Sequence, residues 1–291
     1  MSARKTVLTL AEMRRSNAPI TMVTAYDYPG ARAAEAAEVD AILVGDSLAM
    51  VVLGHPNTLS VTLDEMLHHA RAVARGATTP LLIGDLPFMS YQIDAGRAVA
   101  SAGRFVQEAG MAAVKLEGGR GFSETVRAIV RAGIPVIGHL GLTPQSLNVL
   151  GGFRVQGRTA EAACRLLDDA RALEDAGCFA IVLESVPERL ASHITDALEI
   201  PTIGIGAGTG TSGQVLVYHD LLGLCERSPS FARRYAELGD AAVAALARFR
   251  DDVRQRAFPA AGNAYSMPDD EWRSFLAATG EAYPRPVTAK R

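Results

Sequence analysis

Short apolar runs alternate with amphipathic stretches through most of the chain. The runs are rich in Val, Ile and Leu, and most of them are followed by a turn and then by an Ala-, Arg- and Glu-rich stretch of helical period. This alternation predicts parallel βα units. The predicted strands number eight, at residues 20–27, 40–47, 80–86, 112–118, 134–140, 179–186, 201–206 and 215–220.

Helical periodicity marks the connections between these strands. It predicts helices at residues 30–38, 62–75, 94–109, 122–132, 160–176, 187–198 and 231–255. The seventh connection, residues 207–214 (AGTGTSGQ), is too short and too rich in glycine for a helix. Eight strands in this order predict an α/β fold of the (β/α)₈ TIM-barrel type. A doubly wound parallel sheet is the alternative, because periodicity does not reveal strand order.

The chain reads as one domain with a C-terminal helical extension. Residues 20–255 contain no linker rich in Ser, Gly and Pro, so we predict a catalytic barrel domain at residues 1–256. Residues 257–291 carry four prolines and the single tryptophan, Trp272. We predict that this tail packs on the barrel or on a neighbouring subunit.

Composition and charge narrow the class of protein. Hydrophobic residues make up 48% of the chain and charged residues 21%, as in globular proteins with a large core. A net charge of −3 without a long basic run argues against a nucleic-acid partner. No apolar run reaches the roughly 18 residues of a membrane span, and none resembles a signal-peptide core. Three cysteines without C-x-x-C spacing suit a reducing cytoplasm and are predicted to be packing residues.

Polar residues close nearly every predicted strand. One such residue alone is more often a helix cap. Many together predict a site at one rim, because the carboxyl ends of barrel strands meet there. The residues concerned are Asp27, Asp46 with Ser47, Asp85, Lys115 with Glu117, His139, Glu184 with Ser185, and Asp220.

Two of these carboxylates indicate a cation. Asp46 and Asp85 end neighbouring strands, and oxygen ligands without a His/Cys cluster favour Mg²⁺. Glu117 lies two residues beyond Lys115 and therefore faces the same side, as a third ligand or as the partner of a metal-bound water. A buried charge network without metal is the alternative.

Glu184, His139 and a glycine cluster complete the candidates. Glu184 ends the most apolar strand, where removal from water makes a carboxylate a stronger base, so we predict a proton acceptor; a helix cap is the alternative. His139 is interpreted either as a ligand-binding residue or as a core histidine bonded to a carbonyl. Residues 204–208 resemble a phosphate-binding loop, but no helix long enough to bind a phosphate at its N-terminus is predicted after them. We therefore predict a tight turn that lines the barrel mouth.

Nine segments together resemble one enzyme family, the 3-methyl-2-oxobutanoate (ketopantoate) hydroxymethyltransferases. They lie in order between residues 20 and 223, and so long a collinear match is far more specific than any single motif. The segments are TAYDYPGA (24–31), LVGDSLAMVVLGH (43–55), VTLDEM (61–66), IGDLPFMSY (83–91), VKLEGG (114–119), GHLGLTPQS (138–146), GGFRVQGR (151–158), LESVP (183–187) and IGIGAG (203–208).

The resemblance implies a cytoplasmic homodecamer of (β/α)₈ barrels in pantothenate biosynthesis. It implies Mg²⁺ and a hydroxymethyl group transferred from 5,10-methylenetetrahydrofolate to 3-methyl-2-oxobutanoate, which gives 2-dehydropantoate. It assigns no residue to the folate. By resemblance, the acidic positions at the metal are Asp46, Asp85 and Glu117. The residues that contact the 2-oxo acid are Asp46, Ser47, Asp85 and Lys115, with His139 as a further candidate. The proton acceptor is Glu184.

Two departures from the family pattern lie off this set. Ala49 stands where glycine is more frequent, and Ser212 where aspartate is usual. Residues from Cys225 onward are expected to match poorly.

Two other functions remain open at this point. One is a Mg²⁺-dependent lyase or mutase of the phosphoenolpyruvate/pyruvate barrel type, acting on a small 2-oxo acid. Such enzymes usually carry a cysteine in a catalytic loop, and the first cysteine here is Cys164. The other is a non-catalytic barrel, which gives no reason for carboxylates at so many strand ends.

Overall fold

Eight parallel strands form a closed barrel in the computed structural model, which describes residues 4–280. Each strand pairs with the next, and β8 pairs with β1, which confirms the predicted (β/α)₈ TIM barrel and excludes an open doubly wound sheet. The strands are β1 Ile20–Thr24, β2 Ala41–Val44, β3 Leu81–Asp85, β4 Ala113–Glu117, β5 Val136–Gly141, β6 Ala180–Glu184, β7 Thr202–Ile205 and β8 Gly213–Leu216.

Helices fill most of the connections, six of them near the predicted positions. The helices are α1 Val7–Arg15, α2 Tyr28–Ala36, α3 Leu48–Val51, α4 Leu63–Gly76, α5 Ala95–Ala109, α6 Ser123–Arg131, α7 Leu147–Leu150, α8 Ala160–Asp175, α9 Glu188–Asp196, α10 Tyr218–Leu221, α11 Leu238–Arg254 and α12 Asp269–Thr279. Residues 206–212 form bends, as predicted for the seventh connection.

Two predicted elements have different bounds in the structure. The run at 215–220 divides into the end of β8 and the short helix α10. The helix predicted from residue 231 begins at Leu238, because residues 229–237 use their backbone groups in turns. The N–H of Ala232 bonds to Pro229, and that of Tyr235 bonds to Leu221 at the end of α10.

Alternation along the strands separates two apolar cores. Side chains facing outward, such as Ile42 and Leu82, pack beneath the helices with helix residues such as Phe105 of α5. Side chains facing inward fill the barrel, and Leu10 of α1 joins them beside Ile20 at the start of β1. Helix α1 therefore closes the amino-terminal end of the barrel. Of the cysteines predicted to be packing residues, Cys178 is buried, Cys225 is partly buried and Cys164 is exposed, so for Cys164 the prediction is wrong.

The chain divides into two compact units, Met1–Glu237 and Leu238–Arg291. The first contains the barrel. Within its described residues the second contains α11 and α12, where Trp272 and Phe275 stack with ring centroids 5.3 Å apart. The boundary at residue 256 and the packing of the 257–291 tail stay predictions, and residues 281–291 lie outside the described part. No helix within residues 4–280 is long and apolar enough to cross a membrane.

Candidate active site

The inward-facing strand residues form a polar layer on an apolar floor. Ile83, Ala113, Ile137 and Val182 belong to the inner core. Residues two positions further along a strand face the same side, nearer the carboxyl end. These residues are Asp85, Lys115, His139 and Glu184. Strand register then sets the neighbours, since Asp85 lies beside Lys115, and Glu117 lies beside His139.

A cavity of about 580 Å³ opens above this layer. Every predicted site residue lines it: Asp46, Ser47, Asp85, Lys115, Glu117, His139 and Glu184. Ser185 and Asp220 also line it. Asp27 is instead a helix cap, the alternative considered for strand-end residues. Its Oδ1 accepts a 2.7 Å hydrogen bond from the N–H of Gly30 and caps α2.

Lys115, Asp46 and Asp85 form the part of the polar layer at the bottom of the cavity. Lys115 Nζ lies 2.7 Å and 2.9 Å from the two oxygens of Asp85, and the Asp46 N–H donates to Asp85 Oδ2 at 3.0 Å. All three side chains are buried. Burial opposes the charge of Lys115, but Asp85 and Glu117 outweigh it and raise its pKa. Burial and the charge of Asp85 raise the pKa of Asp46 well above its ordinary value.

His139 lies between two carboxylates. Its Nδ1 is 3.5 Å from Glu117 Oε1, and its Nε2 is 3.2 Å from Glu184 Oε2. Burial and Lys115 oppose protonation of the ring, but Glu117 and Glu184 prevail and raise the pKa of His139 to about 9. Both ring nitrogens face carboxylates, and within residues 4–280 neither has a carbonyl as a hydrogen-bond partner.

The charges at the site favour a divalent cation. Four acidic side chains (Asp46, Asp85, Glu117 and Glu184) share the site with two basic ones (Lys115 and His139), and the raised pKa of Asp46 reflects this excess of acidic groups. Glu117 Oε1 is buried, and within residues 4–280 it has no aligned hydrogen-bond partner. An unbalanced, poorly satisfied group of carboxylates is costly in a protein interior.

The donor set fits Mg²⁺ with water and substrate as further ligands. Among residues 4–280, no three His, Cys, Asp or Glu side chains gather into a ready-made metal cluster. Asp85 already engages Lys115 with both oxygens. Mg²⁺ commonly binds one or two carboxylates and keeps several waters, so a closed three-carboxylate cage is not needed. The oxygens of Asp46 and Asp85 would hold the ion, and Glu117 would hold a bound water.

Three further residues at the site were missed by the sequence analysis. Tyr26 Oη lies 2.8 Å from Ser47 Oγ, and Tyr91 Oη lies 2.8 Å from Gln145 Oε1. Gln145 also reaches Asp46, with its Nε2 2.9 Å from Oδ2. All three lie inside segments that carry the family resemblance, so their presence in TAYDYPGA, IGDLPFMSY and GHLGLTPQS was the available signal.

The glycine cluster is a turn at the barrel mouth, as predicted. Gly206 and Gly208 have φ of 62° and 77°, which favours glycine. A Cβ on Gly206 would lie 2.7 Å from the ring of Phe231, which lines the cavity. The absence of a side chain at Gly206 therefore lets an aromatic ring approach the end of β7.

Sequence comparison identifies the family. Residues 4–261 match the family described as ketopantoate hydroxymethyltransferase, so the match extends well past Cys225, where a poor match was expected. A 3-methyl-2-oxobutanoate hydroxymethyltransferase of Oleidesulfovibrio alaskensis is 56% identical over 274 residues, 93% of this chain and 95% of that protein. One from Moorella thermoacetica is 57% identical over 258 residues, 88% and 96% of the two chains.

Solved structures share the architecture at low identity. A phosphonopyruvate hydrolase in complex with oxalate and Mg²⁺ is similar with a TM-score of 0.59 and 16% identity, over 94% of this chain and 98% of that one. A 2,3-dimethylmalate lyase is similar with a TM-score of 0.58 and 20% identity, over 95% and 99%. These likenesses show the fold alone, so the alternative lyase or mutase activity gains support only at the level of the barrel. The family match decides the class, and the chain belongs to the ketopantoate hydroxymethyltransferase family of transferase enzymes.

Proposed function

We propose that this enzyme transfers a hydroxymethyl group from 5,10-methylenetetrahydrofolate to 3-methyl-2-oxobutanoate. One water is consumed, and the products are tetrahydrofolate and 2-dehydropantoate. The observation that carries the proposal is the gathering of a lysine, an aspartate pair and a separate carboxylate, Glu184, around one cavity at the carboxyl end of the barrel. This arrangement suits deprotonation next to a carbonyl.

The floor of the cavity would hold the 2-oxo acid. The Lys115 ammonium and the Ser47 hydroxyl face the cavity and can orient the substrate carboxylate. Asp46 and Asp85 would hold Mg²⁺ there, and the ion would supply Lewis-acid stabilisation of the negative charge that develops on the keto oxygen. The phosphonopyruvate hydrolase of similar fold is a complex with oxalate and Mg²⁺, which supports a metal-dependent reaction as the proposal.

Glu184 would remove the C3 proton. Its side chain is 16% exposed, so it reaches the cavity. The cap position of α9 falls on Pro187, beyond Glu184, which leaves this carboxylate available as a base. His139 Nε2 lies 3.2 Å from Glu184 Oε2. The resulting enolate carbon would form a bond to the methylene carbon of the folate-derived iminium. Hydrolysis would then break the bond from that carbon to the folate nitrogen, with the hydroxyl of water going to the carbon and its proton to the nitrogen, which releases tetrahydrofolate.

We place the folate in the outer part of the cavity. The cavity volume falls in the range of roughly 300–1,000 Å³ that holds drug-sized ligands, and it is larger than a five-carbon acid fills. Phe153, Val155 and Phe231 offer apolar surface there for a flat ring, and Arg154 and Arg227 offer positive charge for carboxylates. Phe231→Ala should raise the KM for the folate several-fold and leave the KM for the 2-oxo acid unchanged. Equal changes in both would contradict this placement.

The decisive experiment follows the C3 hydrogen of 3-methyl-2-oxobutanoate by NMR in D₂O. Wild-type enzyme with Mg²⁺ should exchange it without folate and form 2-dehydropantoate when methylenetetrahydrofolate is added. Glu184→Gln should slow both by about 10²–10⁴-fold, the usual contribution of a general base.

Glu188→Gln is the matched control. It makes the same change of charge four residues later, where Glu188 begins α9 and contacts Thr209. It should retain wild-type rates. Wild-type exchange in Glu184→Gln would remove Glu184 from the mechanism, and absence of exchange and product in the wild type would refute the proposed reaction.

Assembly and location complete the proposal. We propose a cytoplasmic homodecamer, as the family resemblance implies. In support, α11 exposes an apolar set, Val243, Leu246, Phe249 and Val253, of the kind that oligomer interfaces cover. Light scattering should give ten times the chain mass of 30.8 kDa, and a monomer would contradict the proposal.

A further inference from the structure

Gln145 lies at the centre of a buried hydrogen-bond network beside the proposed cation position. It belongs to the single helical turn Pro144–Ser146 that follows β5, and it is 6% exposed. Its Nε2 donates to Asp46 Oδ2 and to the Leu86 carbonyl, both at 2.9 Å. Its Oε1 accepts from Tyr91 Oη at 2.8 Å and from Gln92 Nε2 at 3.0 Å.

These partners fix the orientation of the amide. The Asp46 carboxylate and the Leu86 carbonyl can only accept, so they must face the NH₂ group. Gln92 offers an N–H, so it must face the oxygen. Both amide hydrogens are then in use, and the oxygen faces two donors, Gln92 Nε2 and the Tyr91 hydroxyl. Gln145 has no capacity left for a substrate, which argues for a role through its neighbours.

The same residue also holds Glu117. The backbone N–H of Gln145 donates to Glu117 Oε2 at 2.9 Å. Gln145 thus engages one oxygen of each of two carboxylates, Oδ2 of Asp46 and Oε2 of Glu117. The other oxygens, Oδ1 of Asp46 and Oε1 of Glu117, are left for other partners, and Oε1 is the atom that lacks an aligned partner within residues 4–280.

Tyr91 fixes the network to the end of β4. Its hydroxyl accepts from the N–H of Glu117 at 3.1 Å, and its single hydrogen has two acceptors in reach, Gln145 Oε1 at 2.8 Å and the Glu117 carbonyl at 3.0 Å. A tyrosine hydroxyl is protonated at neutral pH, so Tyr91 can act as a donor. The backbone of the strand, the amide and the carboxylates are therefore held as one unit.

We propose that Gln145 is a positioning residue that presents Asp46 Oδ1 to the divalent cation and Glu117 Oε1 to a water bound to that cation. The inference rests on the proposed function, because it presumes a cation between these carboxylates. Residues that hold metal-binding side chains in place commonly change metal affinity by about 10- to 100-fold when they are replaced.

Mn²⁺ binding to the full-length enzyme, followed by EPR and calorimetry, tests the proposal. Gln145→Met keeps the length of the side chain and removes the amide, and it should weaken Mn²⁺ binding by about 10- to 100-fold. Gln145→Glu separates positioning from charge. If charge alone mattered, the added carboxylate should tighten Mn²⁺ binding. If positioning matters, binding should weaken, because a carboxylate cannot donate to Asp46 Oδ2 and Leu86 O as the amide does.

Ser101→Ala is the matched control. Ser101 Oγ donates to the Ser90 carbonyl at 2.8 Å, so the variant also loses one buried hydrogen bond at the loop that carries Tyr91. It should lose stability and keep its Mn²⁺ affinity. Wild-type affinity in Gln145→Met, or tighter binding in Gln145→Glu, would overturn the inference while the proposed reaction stands. A wild-type enzyme that binds no Mn²⁺ would overturn the proposed metal site and this inference together.

Discussion

Replacement of Lys115 by methionine isolates the charge balance of the site. Lys115 Nζ contacts both oxygens of Asp85, at 2.7 Å and 2.9 Å, and lies 3.6 Å from Glu117 Oε1. Its side chain is 4% exposed. Methionine has nearly the same length and no charge. The variant would therefore leave a group of buried carboxylates without their nearest cation.

The expected loss of stability is large. Removing one partner of a buried ion pair costs about 3–5 kcal/mol, because the remaining charge is buried and uncompensated. With roughly 2–4 °C per kcal/mol for domains of 150–250 residues, the melting temperature should fall by about 6–20 °C. The loss should be greatest in EDTA and smaller in Mg²⁺, because a bound cation would compensate the same carboxylates.

Lys5→Met provides the matched control at the other end of the barrel. Lys5 Nζ lies 2.6 Å from Asp40 Oδ1, but the two side chains are 24% and 12% exposed. Because water still reaches this pair, the variant should lose less melting temperature than Lys115→Met. Calorimetry with and without Mg²⁺ measures both. The reasoning is refuted if Lys115→Met is no less stable than Lys5→Met in EDTA.

Three other predictions concern pH and packing. The raised pKa of His139 implies stabilisation that is complete below about pH 6.5 and is lost as pH rises through about 9, so urea unfolding should show the advantage over His139→Gln shrinking across that range. An added Cβ at Gly84 would overlap the Phe105 ring, so Gly84→Ala should lower the free energy of unfolding by about 1–3 kcal/mol. The control Gly103→Ala, in open space on α5, should be neutral or stabilising, and a larger loss in the control would contradict the packing. Leu10→Ala should cost about 2–5 kcal/mol by thermal unfolding, and a loss below about 1 kcal/mol would show that α1 does not close the barrel.

Local patterns in the sequence carry much of the fold and of the site. Apolar periodicity predicts the strands and most helices, because side-chain alternation and helical period depend only on neighbouring residues. The same alternation predicts that Lys115 and Glu117 share one face, and the structure places them 3.6 Å apart. The short helices and α1 give weaker local signals and were missed.

The roles of individual strand-end residues depend on contacts distant in sequence. Asp27 and Asp46 both follow apolar runs, yet Asp27 caps α2 and Asp46 lines the cavity. The Gln145 side chain reaches Asp46 across 99 positions of sequence, a contact that no periodic pattern encodes. Local patterns were therefore enough to predict alternating strands and helices and the polar residues at the strand ends, whereas strand order and closure of the barrel came from the structure. Which of those polar groups form hydrogen bonds or ion pairs with each other depends on the folded chain, because closure of the barrel sets the distances between them.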